Sequence, residues 1–106
     1  MKLFDHYQQE CTRTCPVDID PDMPVWGLVG EVGELVNHLK KVKYHKHDPD
    51  IGHVKEELGD ILWYVATLAN VFNLSLSEIA TANVSKLRRR YPEGFDPERS
   101  KNRTPE

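Results

Sequence analysis

Apolar residues recur every three or four positions through most of this chain, a pattern that predicts amphipathic α-helices. Near the N-terminus five residues share this spacing: Leu3, Phe4, Tyr7, Cys11 and Cys15. They predict a first helix over about 2–14. No segment shows the strict alternation that is typical of a half-buried β-strand. The pattern therefore favours an all-α fold.

Proline and capping residues divide the rest of the chain into three further helices. Pro24 is well placed in the first turn of the second helix. Asp48 and Pro49 form a plausible N-cap and N1 pair for the third. Ser75 and Glu78 fit a capping box that opens the fourth. The three helices are predicted over about 25–44, 49–72 and 75–90.

The last part of the chain has a different composition. After Phe95 it is charged and nearly free of apolar residues, so we expect extended or mobile chain over 92–106. A length of 106 residues leaves little room for a second core. The predicted organisation is one domain over 1–95 followed by a polar C-terminal tail over 96–106.

Composition and charge narrow the functional classes. A net charge of −3 argues against a protein that coats nucleic acids, which would normally be basic. No apolar run has the length of a membrane span, and the N-terminus lacks the apolar core of a signal peptide. We therefore expect a cytoplasmic protein without nucleic-acid or membrane partners. Cys11 and Cys15 are predicted to be reduced structural thiols.

Two short acidic motifs are the strongest chemical signal in the sequence. They are Glu31-Val-Gly-Glu34 on the second helix and Glu57-Leu-Gly-Asp60 on the third. Residues three apart share a helix face, and a short loop between the helices would bring the two pairs together. Such an oxygen-only ligand set suits Mg²⁺ or Mn²⁺, and Mg²⁺ in turn suits phosphate substrates. The alternative is that these acids form the solvated faces of ordinary amphipathic helices.

Other residues of these helices bear on that choice. Each motif contains a glycine, Gly33 or Gly59, which costs about 1 kcal/mol in a helix interior and suggests that something approaches closely there. Apolar residues outside the main stripe, such as Val29 and Val36, indicate a second packing partner. A ferritin-like di-iron site needs histidine three residues after glutamate. Asn37 follows Glu34 at that spacing, so this alternative fails.

Three segments together resemble one protein family. They are 27–35 and 56–64, which contain the acidic motifs, and 83–95, which reads NVSKLRRRYPEGF. In combination they resemble the MazG-like nucleoside triphosphate pyrophosphohydrolases of the all-α NTP pyrophosphatase superfamily. The family pattern is usually EExxE followed by ExxD. Gly30 stands where the first glutamate commonly lies, which bears on how many metals are held.

The resemblance implies a fold, a reaction and a metal. The fold would be a four-helix bundle completed by oligomerisation, as a homodimer or homotetramer. The reaction would convert a nucleoside triphosphate and water to a monophosphate and pyrophosphate, with nucleotide pool sanitation as the role. Mg²⁺, or Mn²⁺ as a substitute, would be held by Glu31, Glu34, Glu57 and Asp60. Glu34 or Glu31 would be the catalytic base.

The resemblance also places Asn83, Lys86, Arg90 and Tyr91 on the phosphate side of the substrate pocket. Lys86 and Arg90 are four residues apart and could reach one anion, although a basic last turn also complements the helix dipole. Trp26 is a candidate to stack on the base, as is Trp63, although tryptophan in a bundle is often core. A non-catalytic nucleotide-binding or regulatory helical module is the alternative function.

Overall fold

A computed structural model describes residues 1–102 and shows an all-α chain, as predicted. The helices are α1 (Lys2–Cys11), α2 (Asp22–Tyr44), α3 (Ile51–Val71), α4 (Leu76–Arg90) and α5 (Pro97–Lys101). A 3₁₀ turn at Thr12–Thr14 follows α1. The described residues contain no β-strand beyond an isolated bridge between Pro92 and Gly94. None of their helices is long and apolar enough to cross a membrane.

Helix ends differ from the sequence expectation at three places. Helix α1 stops at Cys11 and tightens into the 3₁₀ turn. Helix α2 begins three residues early, at Asp22, whose backbone N–H donates to the Asp20 carboxylate. The N-cap of α3 is Asp50 rather than Asp48, because the Asp50 side chain accepts from the His53 backbone N–H. The Ser75 cap of α4 is confirmed, since its hydroxyl accepts from the Glu78 N–H.

The C-terminal segment is partly helical rather than extended. Asp96 caps α5 by accepting a hydrogen bond from the Glu98 backbone N–H, and Pro97 occupies the first turn. An Asp-Pro pair is a good helix start even in a charged segment. Residues 103–106 of the predicted tail lie outside the described residues.

Helices α2 and α3 form the main packing unit of the chain. They contact each other more extensively than any other pair, and their short loop makes them antiparallel. The His38 side chain holds the loop, since its Nε2 accepts from the Asp50 backbone N–H at 3.2 Å. Near the other end Gly27 meets the ring of Tyr64, and a Cβ at this glycine would lie 2.2 Å from a ring carbon.

Helix α1 packs across α3 and α4 and forms the small core. Cys11, Ala66 and Leu76 are buried there. Gln8 links the three helices: its amide donates to the Asn70 side chain and the Leu74 carbonyl, and its carbonyl accepts from the Leu76 N–H, each at 2.8 Å. The position of α4 is therefore set by α1 rather than by α2.

The chain is open in shape, and much of its apolar surface is uncovered. Its radius of gyration is 17.0 Å, whereas a compact domain of this length has about 13 Å. Five residues of α2 form an apolar row that we term the α2 stripe, and their side chains are between 41% and 67% exposed: Val25, Val29, Val32, Val36 and Leu39. This surface suits a further helix, as the sequence also indicated.

Candidate metal centre

Three carboxylates from α2 and α3 meet at the packing face of the helix pair. Glu31, Glu57 and Asp60 each offer an oxygen, and these oxygens lie within 4.8 Å of one another. We term these three residues the acid cluster. Helical spacing places Glu57 and Asp60 on one face of α3, and the antiparallel hairpin brings Glu31 opposite them. The cluster joins the two sequence motifs, as expected.

Glu57 has the most unusual environment of the three. Its side chain is 7% exposed. A hydrogen bond with Glu31, burial, and the negative charges of Glu31 and Glu34 together raise the pKa of Glu57 to about 7. When both acids are ionised, the Oε2 atoms of Glu31 and Glu57 are buried without a hydrogen-bond donor. The cluster therefore needs either a proton or a cation.

The chemistry of this donor set is suited to a divalent metal. The ligands are carboxylate oxygens, which Mg²⁺ and Mn²⁺ prefer. Two of these residues, Glu31 and Glu57, each have one buried carboxylate oxygen with no hydrogen-bond partner. Glu31, Glu57 and Asp60 are thus the residues that could hold a metal.

Glu34 occupies a different position from the other three predicted ligands. It is exposed and lies outside the group of close oxygens, although its negative charge and a side-chain hydrogen bond with Glu57 both contribute to the raised pKa of Glu57. It is near enough to act electrostatically on the cluster. The structure thus brings three of the four predicted acids together and places Glu34 at the edge.

A polar depression adjoins the acid cluster on the side of the α2–α3 loop. It has a volume of about 250 Å³, and its lining residues are Glu34, Asn37, His38, Lys41 and His53. The Nε2 atom of His53 lies 3.7 Å from a carboxylate oxygen of Glu57. The spacing of four residues between His53 and Glu57 on one helix is the sequence signal that could have indicated this contact.

The predicted substrate residues on α4 lie elsewhere in the chain. Asn83 and Lys86 line a shallow groove that includes Phe4 of α1. The ring of Tyr91 packs against Phe95, with 5.3 Å between ring centroids. The Arg90 carbonyl accepts a hydrogen bond from Arg99. Within a single chain these residues are not brought to the acid cluster.

The two tryptophans have different surroundings. Trp26 lies on α2 with 77% of its surface exposed, so it is free to contact a ligand or another chain. Trp63 packs against the small core, and its Nε1 donates to the Thr14 hydroxyl at 2.9 Å. Trp63 is therefore explained by packing.

Comparisons with known proteins found one family and one relative that match this chain. The model of the MazG nucleotide pyrophosphohydrolase domain matches residues 23–95, a range that contains the acid cluster. The Gene 37 protein of Mycobacterium phage L5 is 40% identical over 72 residues, which cover 64% of this chain and 63% of that protein. The chain therefore spans less than two thirds of this relative. No solved structure shows a significant match.

Proposed function

The chain belongs to the MazG nucleotide pyrophosphohydrolase domain family, and we propose that it hydrolyses nucleoside triphosphates to monophosphates and pyrophosphate with Mg²⁺. The acid cluster is the observation that carries this proposal. Its oxygens lie within 4.8 Å of one another, and Glu57 is buried among them. Mutual repulsion makes a divalent cation the natural occupant, and Mn²⁺ is a suitable substitute. Nucleotide pool sanitation is the role that we propose.

The residues of the site divide into ligands and a base. Glu31, Glu57 and Asp60 would hold the metal, which when bound neutralises phosphate charge and lowers the pKa of water. Glu34 is exposed at the edge of the cluster, where its carboxylate can accept a proton from the attacking water. The water oxygen bonds to the α-phosphorus, the bond from that phosphorus to the α,β-bridging oxygen breaks, and pyrophosphate leaves.

We propose that a second copy of the chain completes the fold, in a homodimer or a homotetramer. The residues of the α2 stripe are spaced alternately four and three apart, which is the spacing of a helix–helix seam. Two α2–α3 hairpins joined along this seam would form a four-helix bundle. Helix α4 packs on α1, away from the acid cluster of its own chain. In such an assembly the predicted substrate residues would therefore reach a substrate at the acid cluster of another copy: Asn83, Lys86, Arg90 and Tyr91. Trp26 is proposed to contact the nucleobase.

Product analysis tests the proposed reaction. Ribonucleoside and deoxyribonucleoside triphosphates are incubated with Mg²⁺, with Mn²⁺ or with EDTA, for the wild type, Glu57→Gln and Glu56→Gln. Glu56 is an exposed neighbour outside the cluster and serves as the matched control. We expect metal-dependent monophosphate and pyrophosphate, reduced about 100-fold or more in Glu57→Gln and retained in Glu56→Gln. Circular dichroism verifies that both variants fold.

Three outcomes would overturn the proposal. Nucleoside diphosphate and orthophosphate as products would move the cleaved bond to the γ-phosphate. Nucleotide binding without turnover on the whole panel would favour the binding or regulatory module. Equal losses in Glu57→Gln and Glu56→Gln would remove the acid cluster from the mechanism.

A further inference from the structure

The polar depression next to the acid cluster includes Glu34, the proposed base, but its other lining residues have no role in the reaction as described above. Two of its residues, Asn37 and Lys41, follow Glu34 by three and seven positions and therefore lie on the same face of α2. His53 reaches the depression from the first turn of α3. The acid cluster is therefore adjacent to side chains that carry nitrogen donors.

His38 and His53 connect the depression to the loop between the helices and to the acid cluster. His38 accepts from the Asp50 backbone N–H through Nε2, so its proton lies on Nδ1. The rings of His38 and His53 are 5.1 Å apart in an edge-to-face arrangement. His53 in turn contacts Glu57. The loop, the depression and the acid cluster therefore form one connected unit.

We propose that this depression binds the pyrophosphate part of the substrate, with Lys41, Asn37 and His53 as donors to its oxygens. This inference rests on the proposed function, because it assigns the phosphates that lie beyond the scissile bond. A nucleoside triphosphate with its metal requires carboxylates at the cation and hydrogen-bond donors along the phosphates. Along α2 the carboxylate of Glu31 comes first, and the donors Asn37 and Lys41 follow it. The lining is polar and carries no tryptophan, tyrosine or phenylalanine for a base to stack on.

Lys41 can be separated experimentally from the other lysines at the end of α2. A basic last turn complements the helix dipole whatever its function, and Lys40, Lys41 and Lys43 share that property. Lys43 lies over the Tyr44 ring, 5.2 Å from its centroid. Among the three, Lys41 alone lines the depression. Lys40→Met is therefore the matched control for Lys41→Met.

Calorimetric titration with inorganic pyrophosphate in the presence of Mg²⁺ tests this assignment without requiring turnover. Because Lys41 would donate one charged hydrogen bond to the anion, we expect Lys41→Met to weaken pyrophosphate binding about tenfold or more. Lys40→Met should remain within about twofold of the wild type, as a remote surface change does. Binding of a nucleoside monophosphate should be equal in all three proteins.

The outcomes distinguish this inference from the proposed function. If the wild type hydrolyses triphosphates but Lys41→Met binds pyrophosphate as Lys40→Met does, the assignment is wrong and the reaction stands. If pyrophosphate binding depends on Lys41 but no triphosphate is cleaved, the depression is an anion site and the proposed reaction is wrong. Absence of pyrophosphate binding in the wild type would also overturn the assignment. A His53→Gln variant, which keeps an N–H donor, should bind pyrophosphate better than His53→Leu.

Discussion

Replacement of Gly27 by alanine should destabilise the protein, whereas the same change at Gly30 or Gly33 should stabilise it. A Cβ at Gly27 would lie 2.2 Å and 2.3 Å from two ring carbons of Tyr64 and 2.6 Å from its hydroxyl. Ordinary carbon contacts begin near 3.5 Å, so the ring or the helix must move by about 1 Å. At Gly30 and Gly33 a Cβ would meet nothing within 4 Å.

The magnitude follows from two opposing effects. Alanine is favoured over glycine by about 1 kcal/mol in a helix interior, and this gain is common to all three positions. Overpacking at Gly27 costs about 1–3 kcal/mol. The free energy of unfolding should therefore be about 1–3 kcal/mol lower for Gly27→Ala than for Gly30→Ala or Gly33→Ala. In a domain of this size, 1 kcal/mol shifts Tm by about 4–8 °C.

Urea denaturation followed by circular dichroism measures this difference, at one protein concentration and in EDTA to remove metal effects. A double-mutant cycle with Tyr64→Ala assigns the cause, because the penalty of Gly27→Ala should disappear when the ring is absent. Equal stability of Gly27→Ala and Gly30→Ala would refute the close helix crossing.

The same variant should weaken metal binding. Tyr64 follows Asp60 by four residues on α3, so displacement of the ring shifts the turn that carries a predicted ligand. We expect a lower Mn²⁺ affinity in Gly27→Ala by calorimetry, with Gly30→Ala unchanged.

Two other predictions concern pH and assembly. The folded protein without metal holds a proton on Glu57 up to about pH 7, whereas the unfolded chain releases it near pH 4.5, so stability should fall as pH rises between these values. Urea titrations at several pH values should show that the free energy of unfolding of the wild type falls over this range. Saturating Mg²⁺ or the Glu57→Gln substitution should remove this pH dependence. An unchanged pH dependence in Glu57→Gln would assign the effect to other groups. Val29→Glu places a charge in the α2 stripe and should reduce the mass measured by sedimentation equilibrium. Lys40 is exposed, so Lys40→Glu should leave that mass unchanged. A monomeric wild type would contradict the proposed assembly.

Local sequence signals predicted most of the fold. The spacing of apolar residues located α2, α3 and α4, and Ser75 marked the start of α4 correctly. The Asp50 cap was missed because Asp48-Pro49 is an equally good local signal, and the choice between them depends on the contact of Asp50 with His38. Helix α5 was missed because its charged composition outweighed the Asp-Pro start.

The site was predictable where it depends on helix periodicity and not where it depends on packing. The motif spacing and the short loop between the helices indicated that Glu31, Glu34, Glu57 and Asp60 would meet, and the group of close oxygens contains all of these residues except Glu34. The interpretation of Gly33 and Gly59 as points of close approach is not supported within the chain, since a Cβ at either would meet no atom within 4 Å. Gly27 has that role instead, and nothing in the sequence distinguishes it from the others.

The burial of Glu57 links stability to metal binding. Glu57 is the only buried carboxylate among residues 1–102, in a chain whose own core is small. An apolar residue there would stabilise the hairpin without a cation, because an ionised acid loses hydration on burial and is repelled by Glu31. A metal that binds only the folded chain stabilises it by an amount that rises with the logarithm of the metal concentration above Kd. Ionised Glu57 thus destabilises the hairpin in the absence of metal, whereas a cation bound to Glu57 and Glu31 would stabilise it.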